Sequence, residues 1–299
     1  MENILSLDQI VKSYNQHLAV DRVSFQVPRN AIFGLLGPNG AGKTSLIRII
    51  TTIIKADSGT VWFDGEKLGG RHPQQIGYMP EERGLYRKMK VGDHLLYLAQ
   101  LKGLGKLEAR QAIQDWLEKF EIADWWPKKV EELSKGMQQK IQFIATVVHE
   151  PKLLILDEPF SGLDPVNTNL IKDEIHELHN KGVSIIFSTH RMEQVEEVCE
   201  HIVLINKGRN VLEGKVQDIK NQFKRNRFQI DYEGTLPPGL ELNADIVEQS
   251  DHSITIQVDE EGRSNELLQY LLQNGVFVHA FNEILPSLNE IFIRQVKRV

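Results

Sequence analysis

Apolar residues in this chain fall into short runs that alternate with stretches of helical spacing. AIFGLLG (31–37) is rich in β-formers and bounded by PRN before and PNG after, so it reads as a buried strand. After Lys43, the residues Leu46, Ile49, Ile50, Ile53 and Ile54 recur at helical spacing and predict a helix ending near Asp57-Ser58-Gly59. A strand, TVWFDG (60–65), follows. From about 91 to 149 the pattern is helical, through DHLLYLAQLKG, EARQAIQDWLEKF and SKGMQQKIQFIATVVHE. LLILD (153–157) is again a short buried strand. Asp164-Pro165 supplies a helix cap and a proline at the first helical position. Ile171, Ile175 and Leu178 then mark one helical face, Gly182 ends it, and VSIIFSTH (183–190) is another strand. Strands alternating with helices predict an α/β fold, a largely parallel sheet covered on both faces with one helical insertion at about 82–149.

The composition shifts at KNQFKRNR (220–227), which is basic and lacks turn chemistry. Beyond it lie RFQIDYE, SITIQVDE, the helical ELLQYLLQNG, the strand VFVHAF and a last helix from about Ser287. The expected organisation is a large domain over 1–222, a linker over 223–227 and a small C-terminal α+β domain over 228–299.

Composition narrows the function classes. The 35 Lys and Arg against 41 Asp and Glu give a formal net charge of −6, which argues against nucleic acid as a partner. One cysteine, Cys199, has no partner for an internal disulfide and fits a reducing compartment. No apolar run approaches the ~20 residues needed to cross a bilayer. The N-terminus MENILSLDQI has early acids and no basic region before an apolar stretch, unlike a secretory signal. A cytoplasmic protein without a membrane span of its own is expected.

Residues 37–44, GPNGAGKT, match G-x-x-x-x-G-K-[ST] between an expected strand and an expected helix, the context that phosphate binding requires. Gly37, Gly40 and Gly42 permit a bend whose N–H groups point inward at an anion, and the following helix adds its positive N-terminal end. Pro38, Asn39, Ala41 and Ser45 complete the loop and the helix start. Lys43 would reach the β- and γ-phosphates, and the Thr44 hydroxyl is placed to ligate Mg2+. LLILDEP supplies a partner strand from whose end Asp157 emerges, a position suited to holding the water shell of Mg2+. Glu158 comes next and is the candidate base for the attacking water.

Read together, these residues resemble the ATP-binding subunits of ABC transporters over roughly residues 1–222, a P-loop NTPase with a RecA-like core and a helical subdomain. GPNGAGKT looks like Walker A and LLILDE like Walker B, SGLD (161–164) is similar to the D-loop with its Asp164, and His190 in FSTH matches the switch histidine. LSKGMQQK (133–140) resembles the ABC signature, which other P-loop ATPases lack. Tyr14 matches the aromatic that stacks on adenine. The resemblance implies that ATP is sandwiched between two ATPase domains, with Ser134 and Gly136 of one touching the γ-phosphate held by the other, and that His190 contacts that phosphate. It also implies a separate integral membrane permease, with the chain cytoplasmic and peripheral at the inner face of the membrane. Within the superfamily the likeness is to ABC-2-type exporters of the sodium-extrusion and drug-efflux group, on the PEERGLY and LSKG-x-QQK wording and the appended domain.

The sequence departs from the family pattern at several places. Lys135 stands where glycine is usual, Met137 where glutamine or asparagine is usual, and Asn30 where a turn glycine is common; Asn tolerates the left-handed conformation of such a turn. In YMPEERGLYR (78–87), Glu81 replaces the glutamine that ligates Mg2+; a carboxylate is also a hard-oxygen ligand. Residues 82–87 are expected on the surface near the groove for the membrane subunit. A non-transport ABC ATPase acting on ribosomes or DNA is the alternative, though such relatives usually carry paired ATPase domains or long coiled-coil insertions. A P-loop kinase would share GPNGAGKT but has no use for LSKGMQQ or SGLD.

Overall fold

The computed structural model describes residues 2–82, 84–240, 244–259 and 263–296, with the backbone alone at 296. Arg83, within the stretch expected to face a membrane subunit, lies outside the described residues. The chain divides into two compact units, Met1–Val216 and Gln217–Val299.

In the first unit, strands β1 (Asn3–Tyr14) and β2 (His17–Pro28) form an antiparallel hairpin, and β3 (Ile32–Leu36) leads into helix α1 (Lys43–Ile50). Next come β4 (Ser58–Phe63), β5 (Glu66–Lys67) and β6 (Ile76–Met79), then helices α2 (Val91–Leu101), α3 (Lys106–Lys119) and α4 (Lys135–Val147). The remainder alternates: β7 (Leu153–Asp157), α5 (Pro165–Asn180), β8 (Ser184–Thr189), α6 (Met192–Val198), β9 (His201–Asn206) and β10 (Arg209–Lys215). One sheet has the order β10-β9-β3-β8-β7-β6, with β9, β3, β8, β7 and β6 parallel and β10 antiparallel to β9. A second, antiparallel sheet has the order β2-β1-β4-β5.

Between the two sheets lies a continuous apolar core. Phe25, Ile10 and Phe63 enter it from the antiparallel sheet, Phe33, Ile155 and Ile186 from the parallel sheet, and Leu46, Ile47 and Ile50 from α1. Phe25 and Phe33 stack across it with ring centroids 5.5 Å apart. Fully burying side chains of this size contributes about 1.5–3 kcal/mol each, so α1 is fixed firmly beneath the end of β3. On the opposite face α6 approaches β3 closely: a Cβ at Gly34 would stand 3.1 Å from Val195 Cγ1. The C-terminal ends of β3 and β7, with that of β8 between them, open on one edge of the sheet, the edge at which parallel sheets carry their ligands.

Two expectations are corrected. Helix α1 stops at Ile50 rather than near Asp57: Thr51 turns its hydroxyl back to the Ile47 carbonyl at 2.8 Å, and Thr52 takes φ 60°. A β-branched Thr-Thr-Ile-Ile run gives a helix little support, and Ile53 is left exposed. The pattern also predicts one largely parallel sheet, whereas TVWFDG joins a second, antiparallel sheet with β1 and β2. Asn30 adopts φ 55°, the left-handed turn read for it, and its N–H donates to Ser184 Oγ at 2.9 Å.

The second unit opens as helix α7 (Val216–Gln222) runs across the division, followed by β11 (Arg227–Glu233), β12 (Asp245–Gln249), β13 (Ser253–Gln257), α8 (Arg263–Gln273), β14 (Phe277–Ile284) and α9 (Leu288–Val296). Its strands form an antiparallel sheet of order β12-β13-β11-β14 around a core that includes Ile230, Ile254, Ile256, Leu267 and Leu271. It is a small α+β domain. Among the described residues, no helix is long and apolar enough to cross a membrane.

Candidate functional site

The phosphate loop leaves β3 at Leu36, which is fully buried, and must turn at once beneath neighbouring backbone. At Gly37, with φ 151°, a Cβ would fall 2.2 Å from the Ile205 carbonyl oxygen; at Gly42, with φ 109°, it would fall 2.5 Å from that of Ala19. Both positions demand glycine. Within the loop the Ala41 N–H donates to the Pro38 carbonyl at 3.1 Å. Helix α1 begins on Gly42 with no side-chain cap and no acidic residue in its first turn. The first N–H groups of a helix have no partner within it, so this end is built to receive an anion. Lys43 folds its ammonium back over the loop, donating to the Gly37 carbonyl at 2.7 Å and the Pro38 carbonyl at 3.2 Å. Burial pushes the amine below its ordinary pKa, and the opposing charges of Asp157, Glu158 and Glu81 partly resist that.

The end of β7 supplies the carboxylates. Asp157 is 4% exposed and accepts a hydrogen bond from Ser188 Oγ at 2.8 Å. Burial raises its pKa, an effect the Ser188 hydroxyl and Lys43 counteract. Glu158 takes φ 52°, an uncommon conformation for a residue with a long side chain. Its N–H donates to the Ser188 carbonyl at 2.8 Å, and its carboxylate turns toward the end of β8. Oε2 accepts from Thr189 Oγ1 at 3.0 Å; Oε1 accepts from the His190 N–H at 2.8 Å and lies 2.6 Å from His190 Nδ1. An ionised carboxylate only accepts, so Nδ1 carries the proton of that contact. Ser188 and Thr189 were missed as site residues, although the two hydroxyls directly precede the histidine in FSTH.

A cavity of about 400 Å³ is lined by Tyr14, by residues 39–45, and by Glu81, Asp157 and Glu158. His17 and Ala19 line it too, and nothing in their residue types marked them in advance. Gly37 and Pro38 meet the site through the carbonyls that hold Lys43, and His190 through Glu158. Tyr14 is 42% exposed, with Lys12 Nζ 5.7 Å from its ring centroid. Among the described residues, no group of three or more His, Cys, Asp and Glu side chains forms a metal cage. Thr44, Glu81 and Asp157 nevertheless place hard-oxygen groups around one cavity. That donor set fits Mg2+, which keeps several waters and shares phosphate oxygens rather than demanding an all-protein cage.

Ser134, Gly136 and Asp164 are not among the residues that line this cavity. Ser134 caps α4, its Oγ accepting from the Met137 N–H at 3.3 Å, and Asp164 caps α5, accepting from the Asn167 N–H at 3.0 Å. A Cβ at Gly136 would meet only Leu163 Cδ2 at 3.8 Å and Asn167 Nδ2 at 4.0 Å, ordinary contacts. The fold of this chain therefore does not itself require glycine there.

Comparison with known proteins agrees with this geometry. Residues 20–161 match the family model "ABC transporter", and residues 214–296 match "ATP-binding protein DrrA1-3-like, C-terminal domain". The chain is 45% identical to the ABC transporter ATP-binding protein YhaQ of Bacillus subtilis, over 99% of both chains. It is 31% identical to the lipopolysaccharide export system ATP-binding protein LptB of Haemophilus influenzae, over 75% of this chain and 96% of that one. A solved structure of an ATP-binding subunit of an ABC transporter superposes with a TM-score of 0.69 at 30% identity, covering 74% of this chain and 93% of the other. The chain belongs to the ATP-binding subunits of ABC transporters, a family of ATPases.

Proposed function

We propose that this subunit hydrolyses ATP in a composite site shared with a second ATPase subunit and thereby drives export through a separate membrane permease. The observation that carries this reading is the division of the site residues. One cavity gathers the phosphate loop, Glu81, Asp157 and Glu158, while Ser134 and Gly136 stand apart from it. Gly136 is a glycine that neither packing nor backbone conformation within the chain explains, which suits close approach by a nucleotide held on another copy.

In this reading the start of α1 and Lys43 bind the phosphates, and Tyr14 stacks on adenine. Thr44 and Asp157, with Glu81, hold Mg2+, which supplies charge neutralisation on the transferring phosphoryl group. Glu158 orients and deprotonates the attacking water. His190, tied to Glu158 through Nδ1, keeps its other ring nitrogen available toward the γ-phosphate. Asp164, with Ser134, belongs to the surface offered to the second subunit. Export is supported by the likeness to a lipopolysaccharide export system ATP-binding protein. The subunit would then work in the cytoplasm, peripheral to the inner face of the membrane, with no nucleic-acid partner.

Ser134→Arg tests the composite site. In a slowly hydrolysing Glu158→Gln background, ATP should produce a dimer by light scattering. Adding Ser134→Arg should leave a monomer that binds ATP with unchanged affinity. A dimer of undiminished population would refute the shared site.

A further inference from the structure

Helix α4, which begins at Ser134, buries two glutamines three residues apart on one face: Gln139 is 4% exposed and Gln142 5%. Each donates to the carbonyl of a proline beside a carboxylate of the nucleotide site. Gln142 Nε2 donates to the Pro80 carbonyl at 2.7 Å, and the next residue is Glu81. Gln139 Nε2 donates to the Pro159 carbonyl at 2.9 Å, and the preceding residue is Glu158. We propose that Gln142 is a positioning residue: anchored in α4, it holds the Pro80–Glu81 peptide so that the Glu81 carboxylate faces the Mg2+ of bound ATP. This rests on the reading of Glu81 as a Mg2+ ligand.

Three observations carry it. First, Gln142 is poorly explained by packing. Its Oε1 is buried with no hydrogen-bond partner among the described residues, a cost that methionine, of similar length, would avoid. Second, the helix is a fixed platform for the donor. Ile141, Phe143 and Ile144 are buried, Phe143 packs edge-on against Trp116 and Phe120, and the Gln139 bond ties α4 to the end of Walker B. Third, the strand that delivers Pro80 lies directly on α4. A Cβ at Gly77 in β6 would fall 2.5 Å from the Thr146 carbonyl oxygen, so β6 and α4 meet backbone to backbone. Glu81 itself is exposed on a loop, and the Gln142 hydrogen bond links the start of that loop to the buried helix.

The test is a Mn2+ titration, followed by electron paramagnetic resonance, of ATP-loaded full-length protein in the Glu158→Gln background. Gln142→Met should weaken Mn2+ binding at least about threefold, the scale of one lost hydrogen bond. Glu81→Ala should weaken it as well, and the double variant should be no weaker than Glu81→Ala alone. The nucleotide-free thermal midpoint of Gln142→Met should not fall, which separates positioning from a general loss of structure. Unchanged Mn2+ affinity in Gln142→Met while Glu81→Ala weakens it overturns the role of Gln142 alone, as do additive losses in the double variant. Unchanged affinity in Glu81→Ala overturns the Glu81 reading, and the proposal with it.

Discussion

Glu158→Gln is expected to slow steady-state ATP hydrolysis by at least ~100-fold while ATP still binds, the scale of a lost general base. The substitution is close to isosteric, and the surroundings of Glu158 accommodate it. The Gln oxygen can keep the place of Oε1, accepting from the His190 N–H, and the amide nitrogen can take the place of Oε2 beside the Thr189 hydroxyl. The left-handed backbone at Glu158 is held by its own N–H bond to the Ser188 carbonyl, which the substitution does not touch. What is lost is the capacity to take a proton from water. A single-turnover measurement separates this from slow product release, because only the chemical step should change. Wild-type turnover in the variant would remove Glu158 from the base role.

The contrast between what residue order revealed and what it concealed follows from how local each feature is. The phosphate loop was legible because its glycines answer to steric limits within a few residues of sequence, as the close approaches of Ile205 and Ala19 to Gly37 and Gly42 make plain. Asp157 and Glu158 were legible because a fully apolar strand ends on them. The antiparallel sheet was not. In β1 the alternation of apolar and polar residues breaks at Gln9, which has φ 50°, and the register to β2 shifts between Leu7 and Ile10. A period-two pattern fails across such an irregularity. β12 was missed for another reason: DIVEQ lies at the sheet edge and is largely exposed, so it carries little apolar signal. The hydrogen bonds of Glu158 to Thr189 and His190, and of Gln142 to Pro80, join residues distant in the chain. No local pattern encodes them; they exist only once the parallel strands and α4 are assembled.

Lys43→Ala is expected to cost at least about tenfold in ATP affinity, since a hydrogen bond to a charged group is worth about 1.5–3 kcal/mol. Its effect on the free protein should run the other way or vanish. Lys43 is 8% exposed as a residue, and burial lowers its pKa, so the folded chain carries an imperfectly solvated cation. Two loop carbonyls and three carboxylates offset that penalty, and alanine removes the penalty together with the offset. The nucleotide-free thermal midpoint should therefore hold or rise slightly. The rise in midpoint on adding ATP should shrink, because a ligand stabilises the fold only as far as its concentration exceeds its Kd. A merely structural lysine would give the opposite pair of results, a lower midpoint without ATP and an undiminished increment with it. That outcome would remove Lys43 from the phosphate-binding role.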